Sequence, residues 1–130
     1  MVTQPRVLIV DDNVHSTKIL SLILQRKGYS VTTAKDGYEA IERVKKGFFH
    51  LTLVDIRMPG MDGLDTFRRI RQIRPQAAVV MMTAYAADGL IREAMREGAC
   101  GVVYKPLDIP ELLALIQGQR VKMTLGPSAE

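Results

Sequence analysis

The sequence predicts an α/β fold, in which a parallel sheet of five strands is covered on both faces by helices. Short apolar runs rich in β-branched residues alternate with segments in which apolar residues recur at helical spacing. Strand and helix signals follow one another five times, a pattern typical of βα units joined by crossover connections. The length of 130 residues suits a single domain with its own core.

The five predicted strands differ in polarity. Residues 6–10, 51–54, 78–82 and 101–104 are almost entirely apolar, as expected of strands that are buried on both faces of a parallel sheet. Residues 30–34 are more polar, which favours a position at an edge of the sheet. Right-handed crossover connections leave few topologies for this alternation of strands and helices.

Each segment that follows a predicted strand carries one apolar helical face. Glycine or proline follows the first four segments, at the position where a helix is expected to end. Asp62 and Asp65 lie at the start of the third segment, where a cap and a first-turn acid are expected. The five faces consist of Ile19, Leu20, Ile23 and Leu24; Tyr38, Ile41 and Val44; Leu64, Phe67 and Ile70; Leu90, Ile91, Ala94 and Met95; and Ile109, Leu112, Leu113 and Ile116.

The chain is expected to form one domain over residues 1–118, followed by a short, polar and flexible tail over residues 119–130. No stretch reaches the roughly 20 apolar residues that cross a bilayer. The first residues also lack the apolar core of a secretory signal. Cys100 is the only cysteine in the sequence, so no internal disulfide is expected. These features favour a reducing, cytoplasmic location.

The net charge of +4 raises the question of nucleic-acid binding. Much of this charge comes from four arginines between residues 68 and 74, and no aromatic residues are interleaved with them. A basic run of this kind is typical of a solvated helix face. We therefore expect no direct, specific binding to nucleic acid.

Polar residues stand at the carboxyl ends of four of the five predicted strands. In an open parallel sheet, ligands bind outside these ends, at the point where the strand order reverses. The fold therefore gathers the polar residues into one cleft. In chain order they are Asp11 and Asp12, Asp55, Thr83 and Ala84, and Lys105 and Pro106.

The three acids of this cleft indicate a metal site. Carboxylates in one small space repel one another unless a cation joins them. Mg²⁺ meets this need, because it prefers oxygen ligands and takes one or two carboxylates while keeping several waters. We expect Asp12 and Asp55 to be direct ligands and Asp11 to act through water. Lys105 adds a further positive charge beside Asp55.

The same arrangement predicts phosphoryl chemistry at Asp55. A carboxylate is able to act as a nucleophile and to form an acyl phosphate. Positive charge from the metal and from Lys105 neutralises the transferring oxygens, which is the main catalytic task in phosphoryl transfer. The hydroxyl of Thr83 is placed to donate a hydrogen bond to the product phosphate. The small side chain of Ala84 lets its backbone N–H approach the same group.

These motifs resemble the receiver domain of two-component response regulators, in the chemotaxis-regulator-like family. The resemblance covers about residues 5–117. An Asp-Asp pair alone is weak evidence, whereas an ordered set of motifs at successive strand ends is specific. The motifs are VDD at residues 10–12, LVDIRMPGMDG at residues 53–63, MTAY at residues 82–85 and VYKP at residues 103–106.

The resemblance implies a flavodoxin-like, doubly wound (βα)5 fold with the strand order 2-1-3-4-5. It implies that Mg²⁺ is held by Asp12, Asp55 and the backbone carbonyl of Arg57, and that Mn²⁺ is able to substitute. It also implies a cis peptide bond between Lys105 and Pro106.

The implied function is that of a phosphoacceptor signalling domain rather than an enzyme, with slow autodephosphorylation. The phosphoryl group of Asp55 would come from a phosphohistidine on a sensor histidine kinase or a histidine phosphotransfer protein. Phosphorylation adds roughly −1.5 to −2 units of charge, which pulls Thr83 towards the site and shifts the fourth helix. The output surface would consist of the fourth helix, the fifth strand and the fifth helix.

One position departs from the family pattern. Many receivers carry an aromatic residue three positions before the lysine, where this chain has Val102. The nearest aromatic residue is Tyr104, directly before Lys105, and strand alternation places it on the same face as Val102. We expect the usual aromatic coupling to be absent, and Tyr104 is the alternative switch residue.

Arg57 and Tyr85 flank the predicted phosphate. They lie two residues after Asp55 and Thr83 respectively, at positions that influence the lifetime of the phosphoryl group in the resembling family. We expect these long and bulky side chains to cover the mouth of the site and to slow the attack of water.

Two other functions fit parts of the pattern. An aspartyl-nucleophile phosphatase of the haloacid-dehalogenase type needs a second carboxylate two residues after the nucleophile, where this chain has Arg57. A dinucleotide-binding module needs Gly-x-Gly-x-x-Gly after the first strand, where residues 11–14 contain no glycine. The sequence leaves open the cognate kinase, the downstream target, the presence of further domains and the formation of a homodimer on phosphorylation.

Overall fold

The computed structural model describes residues 4–85 and 88–125, with side chains described as far as residue 118. Within these ranges, five strands and five helices alternate as predicted. The strands are β1 (Arg6–Val10), β2 (Ser30–Ala34), β3 (Leu51–Asp55), β4 (Val79–Thr83) and β5 (Gly101–Tyr104). The helices are α1 (Val14–Arg26), α2 (Gly37–Lys46), α3 (Gly63–Ile73), α4 (Gly89–Arg96) and α5 (Ile109–Leu125).

The strands form one parallel sheet in the order β2-β1-β3-β4-β5. This order confirms the expected doubly wound, flavodoxin-like architecture. The more polar strand β2 lies at an edge of the sheet, as its composition predicted. The strand order reverses between β1 and β3, so the carboxyl ends of these two strands open on the crevice where ligands bind in such sheets.

Apolar layers cover both faces of the sheet. Helices α2, α3 and α4 pack on one face around Phe67 and Ile70, and helices α1 and α5 pack on the other around Leu24 and Leu112. Every residue of β3 and β4 is buried, as expected of central strands. Full burial of a large apolar side chain stabilises the fold by about 1.5–3 kcal/mol. The two layers therefore hold the strand ends, and the residues on them, in fixed positions.

Side-chain caps begin the helices that follow β1, β3 and β4. Asp62 accepts a hydrogen bond from the backbone N–H of Asp65 at 2.9 Å, which confirms the predicted start of α3. Asn13 caps α1 and Asp88 caps α4 in the same manner. A cap of this kind satisfies a backbone N–H that has no partner within the helix and contributes about 1 kcal/mol.

Several boundaries differ from the predicted ones. Strand β3 ends at Asp55 rather than at residue 54, and β4 begins at Val79 rather than at residue 78. Strand β4 ends at Thr83 rather than at residue 82, because Thr83 continues the ladder opposite Tyr104. Helix α5 continues to Leu125, beyond the predicted apolar face that ended at Ile116, since no proline interrupts the segment before the Gly-Pro pair at residues 126–127. The division into a domain over residues 1–118 and a tail over residues 119–130 stays a prediction. Residues 126–130 of the predicted tail lie outside the described residues. None of the described helices is both long and apolar enough to cross a membrane.

Candidate functional site

The residues predicted to form the site meet at the carboxyl edge of the sheet. Asp11, Asp55 and Thr83 come from the ends of β1, β3 and β4, and their exposed fractions are 4%, 7% and 1%. Asp12 is exposed, and Lys105 directly follows β5. The strand order thus brings together side chains that lie up to 94 positions apart in the sequence.

Asp11, Asp12 and Asp55 form a compact acidic group. One carboxylate oxygen of each residue lies within 4.8 Å of those of the other two. Such close carboxylates repel one another, and a hard divalent cation relieves this repulsion. The exposure of Asp12 leaves one side of the group open to the waters that Mg²⁺ retains. The donor set is therefore compatible with Mg²⁺.

The ammonium group of Lys105 joins two of the three acids. Its Nζ donates hydrogen bonds to Asp11 Oδ2 at 2.9 Å and to Asp55 Oδ2 at 3.3 Å. The sequence predicted that Lys105 lies beside Asp55. The structure adds a shorter contact between Lys105 and Asp11. The lysine thus compensates part of the negative charge on both buried acids.

Burial governs the protonation of these partners. It raises the pKa of Asp55 from the usual 3.8 to about 6, because the charge of Lys105 only partly offsets the lost solvation and Asp11 adds repulsion. Burial alone lowers the pKa of Lys105, but the hydrogen bond to Asp11 and the charge of Asp55 outweigh it. The pKa of Lys105 is therefore raised above its usual 10.5, and the ammonium group stays charged.

Thr83 directs its hydroxyl group at the backbone that follows β4. Its Oγ1 donates to the carbonyl of Tyr85 at 3.2 Å and lies 3.1 Å from the backbone N–H of Tyr85, which donates to it. Ala84, between the two, is exposed. Both hydrogen-bonding functions of the hydroxyl are used by Tyr85, so the hydroxyl has to leave the Tyr85 carbonyl before it donates to a phosphoryl group.

Two glycines shape the connection between β3 and α3. Gly60 has a φ of +78°, a left-handed conformation that glycine adopts without strain. At Gly63, a Cβ would collide with the carbonyl oxygen of Asp55, while the Gly63 N–H donates to the Ile56 carbonyl at 2.9 Å. The connection therefore passes closely by the end of β3. The backbone nitrogen of Arg57 lies 3.4 Å from Asp55 Oδ1.

An ion pair that the sequence did not predict joins this connection to the start of α4. Arg57 Nε donates to Asp88 Oδ2 at 2.8 Å, and Arg57 Nη2 donates to Asp88 Oδ1 at 3.0 Å. The position of Asp88 just before the apolar face of α4 is a recognisable cap signal. Its pairing with an arginine 31 positions away leaves no local signal in the sequence.

The other predicted residues lie around the rim of the site or on β5. Tyr85 is 66% exposed, and Tyr104 on the edge strand β5 is 45% exposed. Val102 is half-buried against the apolar layer that contains α4. The peptide bond between Lys105 and Pro106 is cis, as the resemblance implied. Whether Val102 and Tyr104 act in a switch stays a prediction.

Comparison with known proteins agrees with this geometry. Residues 7–117 match the family profile of the response regulator receiver domain. The chain belongs to this family. It is therefore a phosphoacceptor signalling domain of two-component systems.

Individual relatives support the same conclusion. The chain is similar to the transcriptional regulatory protein ZraR of Klebsiella oxytoca, with 39% identity over 109 residues, which make up 84% of this chain and 25% of ZraR. It therefore spans about a quarter of the length of that relative. A CheY-like receiver domain protein from Methanospirillum hungatei superposes with a TM-score of 0.89 and 29% identity, covering 95% of this chain and 100% of the other.

A second solved structure carries a ligand. The response regulator TrrA from Thermotoga maritima, in complex with Mg²⁺ and BeF, superposes with a TM-score of 0.79 and 31% identity. The match covers 89% of this receiver and 99% of TrrA. A receiver of the same fold thus binds Mg²⁺ together with a beryllium fluoride.

Proposed function

We propose that Asp55 is the phosphoacceptor and that the donor is a phosphohistidine on a sensor histidine kinase or a histidine phosphotransfer protein. A carboxylate oxygen of Asp55 forms the new O–P bond while the P–N bond to the imidazole breaks, and the electron pair of that bond returns to the imidazole nitrogen. The observation that carries this proposal is the place of Asp55: it ends the central strand, within 3.3 Å of the Lys105 ammonium group.

We assign Mg²⁺, with Mn²⁺ as a substitute, to Asp12, Asp55 and the backbone carbonyl of Arg57, and Asp11 acts through water. When bound, the ion supplies positive charge beside the oxygens of the transferring group. The compact acidic group and the Mg²⁺ complex of TrrA support this assignment.

The protein's own groups bind the product. Lys105 remains protonated at neutral pH, and its ammonium group donates to an oxygen of the phosphoryl group. The Thr83 hydroxyl leaves the Tyr85 carbonyl and donates to a second oxygen, while the backbone N–H of Ala84 donates to a third. The free energy of these new hydrogen bonds favours a changed backbone after β4.

The output surface consists of α4, β5 and α5. Movement of Thr83 displaces the start of α4 relative to β5, which changes the surface offered to a downstream target or to a second receiver. Val102 is too small to replace the aromatic ring of other receivers, so the coupling does not use a buried ring at that position. Tyr104 instead contributes an exposed ring to the output surface.

The receiver also loses its phosphoryl group slowly by hydrolysis. Arg57 and Tyr85 line the exposed rim of the site, and their side chains limit the access of water to the phosphorus atom. The lifetime of the signal is therefore set in part by these two residues.

Mass spectrometry of the intact protein after incubation with acetyl phosphate and Mg²⁺ tests the acceptor. Wild type should gain one phosphoryl group and Asp55→Asn should gain none. Asp62→Asn, a matched change of a carboxylate in the same connection, should be labelled like wild type. Equal labelling of Asp55→Asn would disprove the assignment. Sedimentation of the same samples shows whether phosphorylation drives the pairing of two receivers.

A further inference from the structure

Arg57 and Asp88 form a two-armed ion pair beside the acidic group. The two hydrogen bonds measure 2.8 and 3.0 Å, which is the geometry of a strong guanidinium–carboxylate contact. The side chain of Asp88 is 1% exposed, whereas that of Arg57 is 67% exposed. A buried carboxylate depends strongly on its partner, because loss of the cation leaves much of its charge uncompensated.

Asp88 also determines how α4 begins. Its Oδ1 accepts a hydrogen bond from the backbone N–H of Leu90 at 2.9 Å. Its own backbone N–H donates to the carbonyl of Tyr85 at 3.2 Å, the same carbonyl that accepts the Thr83 hydroxyl. Asp88 therefore connects the first turn of α4 both to Arg57 and to the hydroxyl that we assign to phosphoryl binding.

These contacts form a path from the proposed phosphoacceptor to the hydroxyl that we assign to phosphoryl binding. One end is the backbone N–H of Arg57, whose nitrogen lies 3.4 Å from Asp55 Oδ1. The other end is the Thr83 hydroxyl. We propose that the Arg57–Asp88 ion pair is a latch, which stabilises the unphosphorylated arrangement of α4 and is released when Asp55 is phosphorylated. This inference rests on the proposed assignment of Asp55 as the acceptor.

A phosphoryl group on Asp55 opposes the latch in two ways. The acyl phosphate carries up to about two negative charges in place of the single charge of the carboxylate, and its three phosphoryl oxygens compete with Asp88 for the guanidinium group of Arg57. Because Arg57 is mostly solvated, it turns towards the new anion without disturbing packed side chains.

The second effect acts through the backbone. When the Thr83 hydroxyl moves to the phosphoryl group, the Tyr85 carbonyl keeps only its bond from the Asp88 N–H, and Thr83 no longer fixes the position of this carbonyl or of the Asp88 backbone bonded to it. The carboxylate of Asp88 keeps its bond to the N-terminus of α4, where the helix dipole favours a negative charge. The helix and its cap are then free to move together, away from Arg57.

Linkage gives the latch a measurable consequence. A variant in which only the unphosphorylated arrangement is destabilised binds a phosphoryl analogue more tightly than wild type. Asp88→Asn is such a variant, since asparagine caps helices well but forms no ion pair with Arg57. Asp62→Asn is the matched control: it makes the same change at the cap of α3, and among the described residues Asp62 pairs with no cation.

Titration of wild type and the two variants with beryllium fluoride in saturating Mg²⁺ tests the proposal. We expect Asp88→Asn to bind about threefold to tenfold more tightly than wild type, and Asp62→Asn to stay within about twofold. Affinity of Asp88→Asn equal to or weaker than that of Asp62→Asn would overturn the latch. If wild type itself binds no beryllium fluoride, the proposed phosphoacceptor function fails instead, so the two failures are distinguishable.

A second variant keeps the test decisive if Asp88→Asn does not fold. Arg57→Gln removes the guanidinium group and retains the backbone carbonyl assigned to the metal. In NMR spectra without ligand, the amide signals of α4 in this variant should lie part-way between those of free and beryllofluoride-bound wild type. Signals that coincide with those of free wild type would show that the ion pair does not hold α4.

Discussion

Two groups of ion pairs in this receiver use the same chemical groups in different surroundings. At the site, Lys105 and Arg57 pair with carboxylates that are buried. On the outer surface of α3 and α4, Arg68 pairs with Glu97 at 2.6 Å, and the two side chains are 44% and 30% exposed. The Arg68–Glu97 contact is the shortest of these ion pairs. The ion pairs of the site differ from it in the burial of their acids, not in distance.

The pKa values of the acids show what this difference means. Burial raises the pKa of Asp55 to about 6, whereas the hydrogen bond from Arg68 lowers the pKa of Glu97 to about 2. Solvent and salt screen the surface pair, so its short distance adds little to the stability of the fold. Buried acids are sensitive to any change in their partners. A chemical modification at the site therefore has large effects, while the surface pair is tolerant of change.

The basic run over residues 68–74 includes Arg68 of the surface pair. Arg71 donates to the carbonyls of Ala77 at 2.8 Å and Gly98 at 2.7 Å, and Arg74 donates to the carbonyl of Val44 at 3.1 Å. These bonds attach α3 to the neighbouring connections. The sequence predicted a solvated helix face, whereas Arg71 and Arg74 bond to backbone carbonyls in partly buried surroundings. The expected absence of direct nucleic-acid binding stays a prediction.

The largest effect is expected at Lys105. Lys105→Met leaves two buried carboxylates without their cation and removes a charge from the transferring oxygens, so the rate of labelling by acetyl phosphate should fall about 10²- to 10³-fold. Initial rates from intact mass spectra measure this. The control is Lys45→Met, which removes a lysine that pairs with Glu42 on the surface. The side chains of Lys45 and Glu42 are each 57% exposed. Equal labelling rates for the two variants would show that the buried ion pair matters no more to phosphorylation than the surface pair.

The next effect concerns pH. The raised pKa of Asp55 stabilises the folded state below about pH 4, and this contribution is lost as the pH rises through about 6, because the ionised form is disfavoured by burial. The variant Asp55→Asn has no ionisable group at this position. The difference between its free energy of unfolding and that of wild type should therefore shift in favour of the variant by up to about 3 kcal/mol between pH 4 and pH 7. Urea denaturation in EDTA measures this difference, and a constant difference across the range would contradict it.

A smaller effect is expected at the exposed rim of the site. Arg57→Ala and Tyr85→Ala remove side chains that shield the phosphoryl group, so its half-life should shorten severalfold in each variant. The decay of labelled protein after removal of acetyl phosphate gives the half-life. Unchanged half-lives in both variants would show that the rim side chains do not control the access of water.

The smallest effect is expected at the surface pair. Arg68→Gln breaks the contact with Glu97, but solvent already screens these charges. The denaturation midpoint should therefore match that of wild type, in low salt and in high salt. A clear loss of stability in low salt would mean that the surface pair resembles the buried ones more closely than its exposure indicates.

Much of the site could be predicted because its residues occupy strand ends. Asp11, Asp55 and Thr83 each follow or end an apolar run, and the rule for parallel sheets places such ends at one edge. The carboxyl ends of β3 and β4 were each predicted one residue too early, since a polar residue at the end of a strand resembles the start of a loop. The length of α5 was underestimated because a single glycine is a weak stop signal inside a helix.

Local features of the sequence by themselves determined the order of strands and helices and the residues gathered at the site, since apolar periodicity and strand ends lie within short windows. The tertiary structure alone decided that Lys105 contacts Asp11 more closely than Asp55 and that Arg57 turns to Asp88. These contacts depend on distances between side chains far apart in the chain, and on burial, which exists only after the layers have packed. The same burial distinguishes the ion pairs of the site from those of the outer surface.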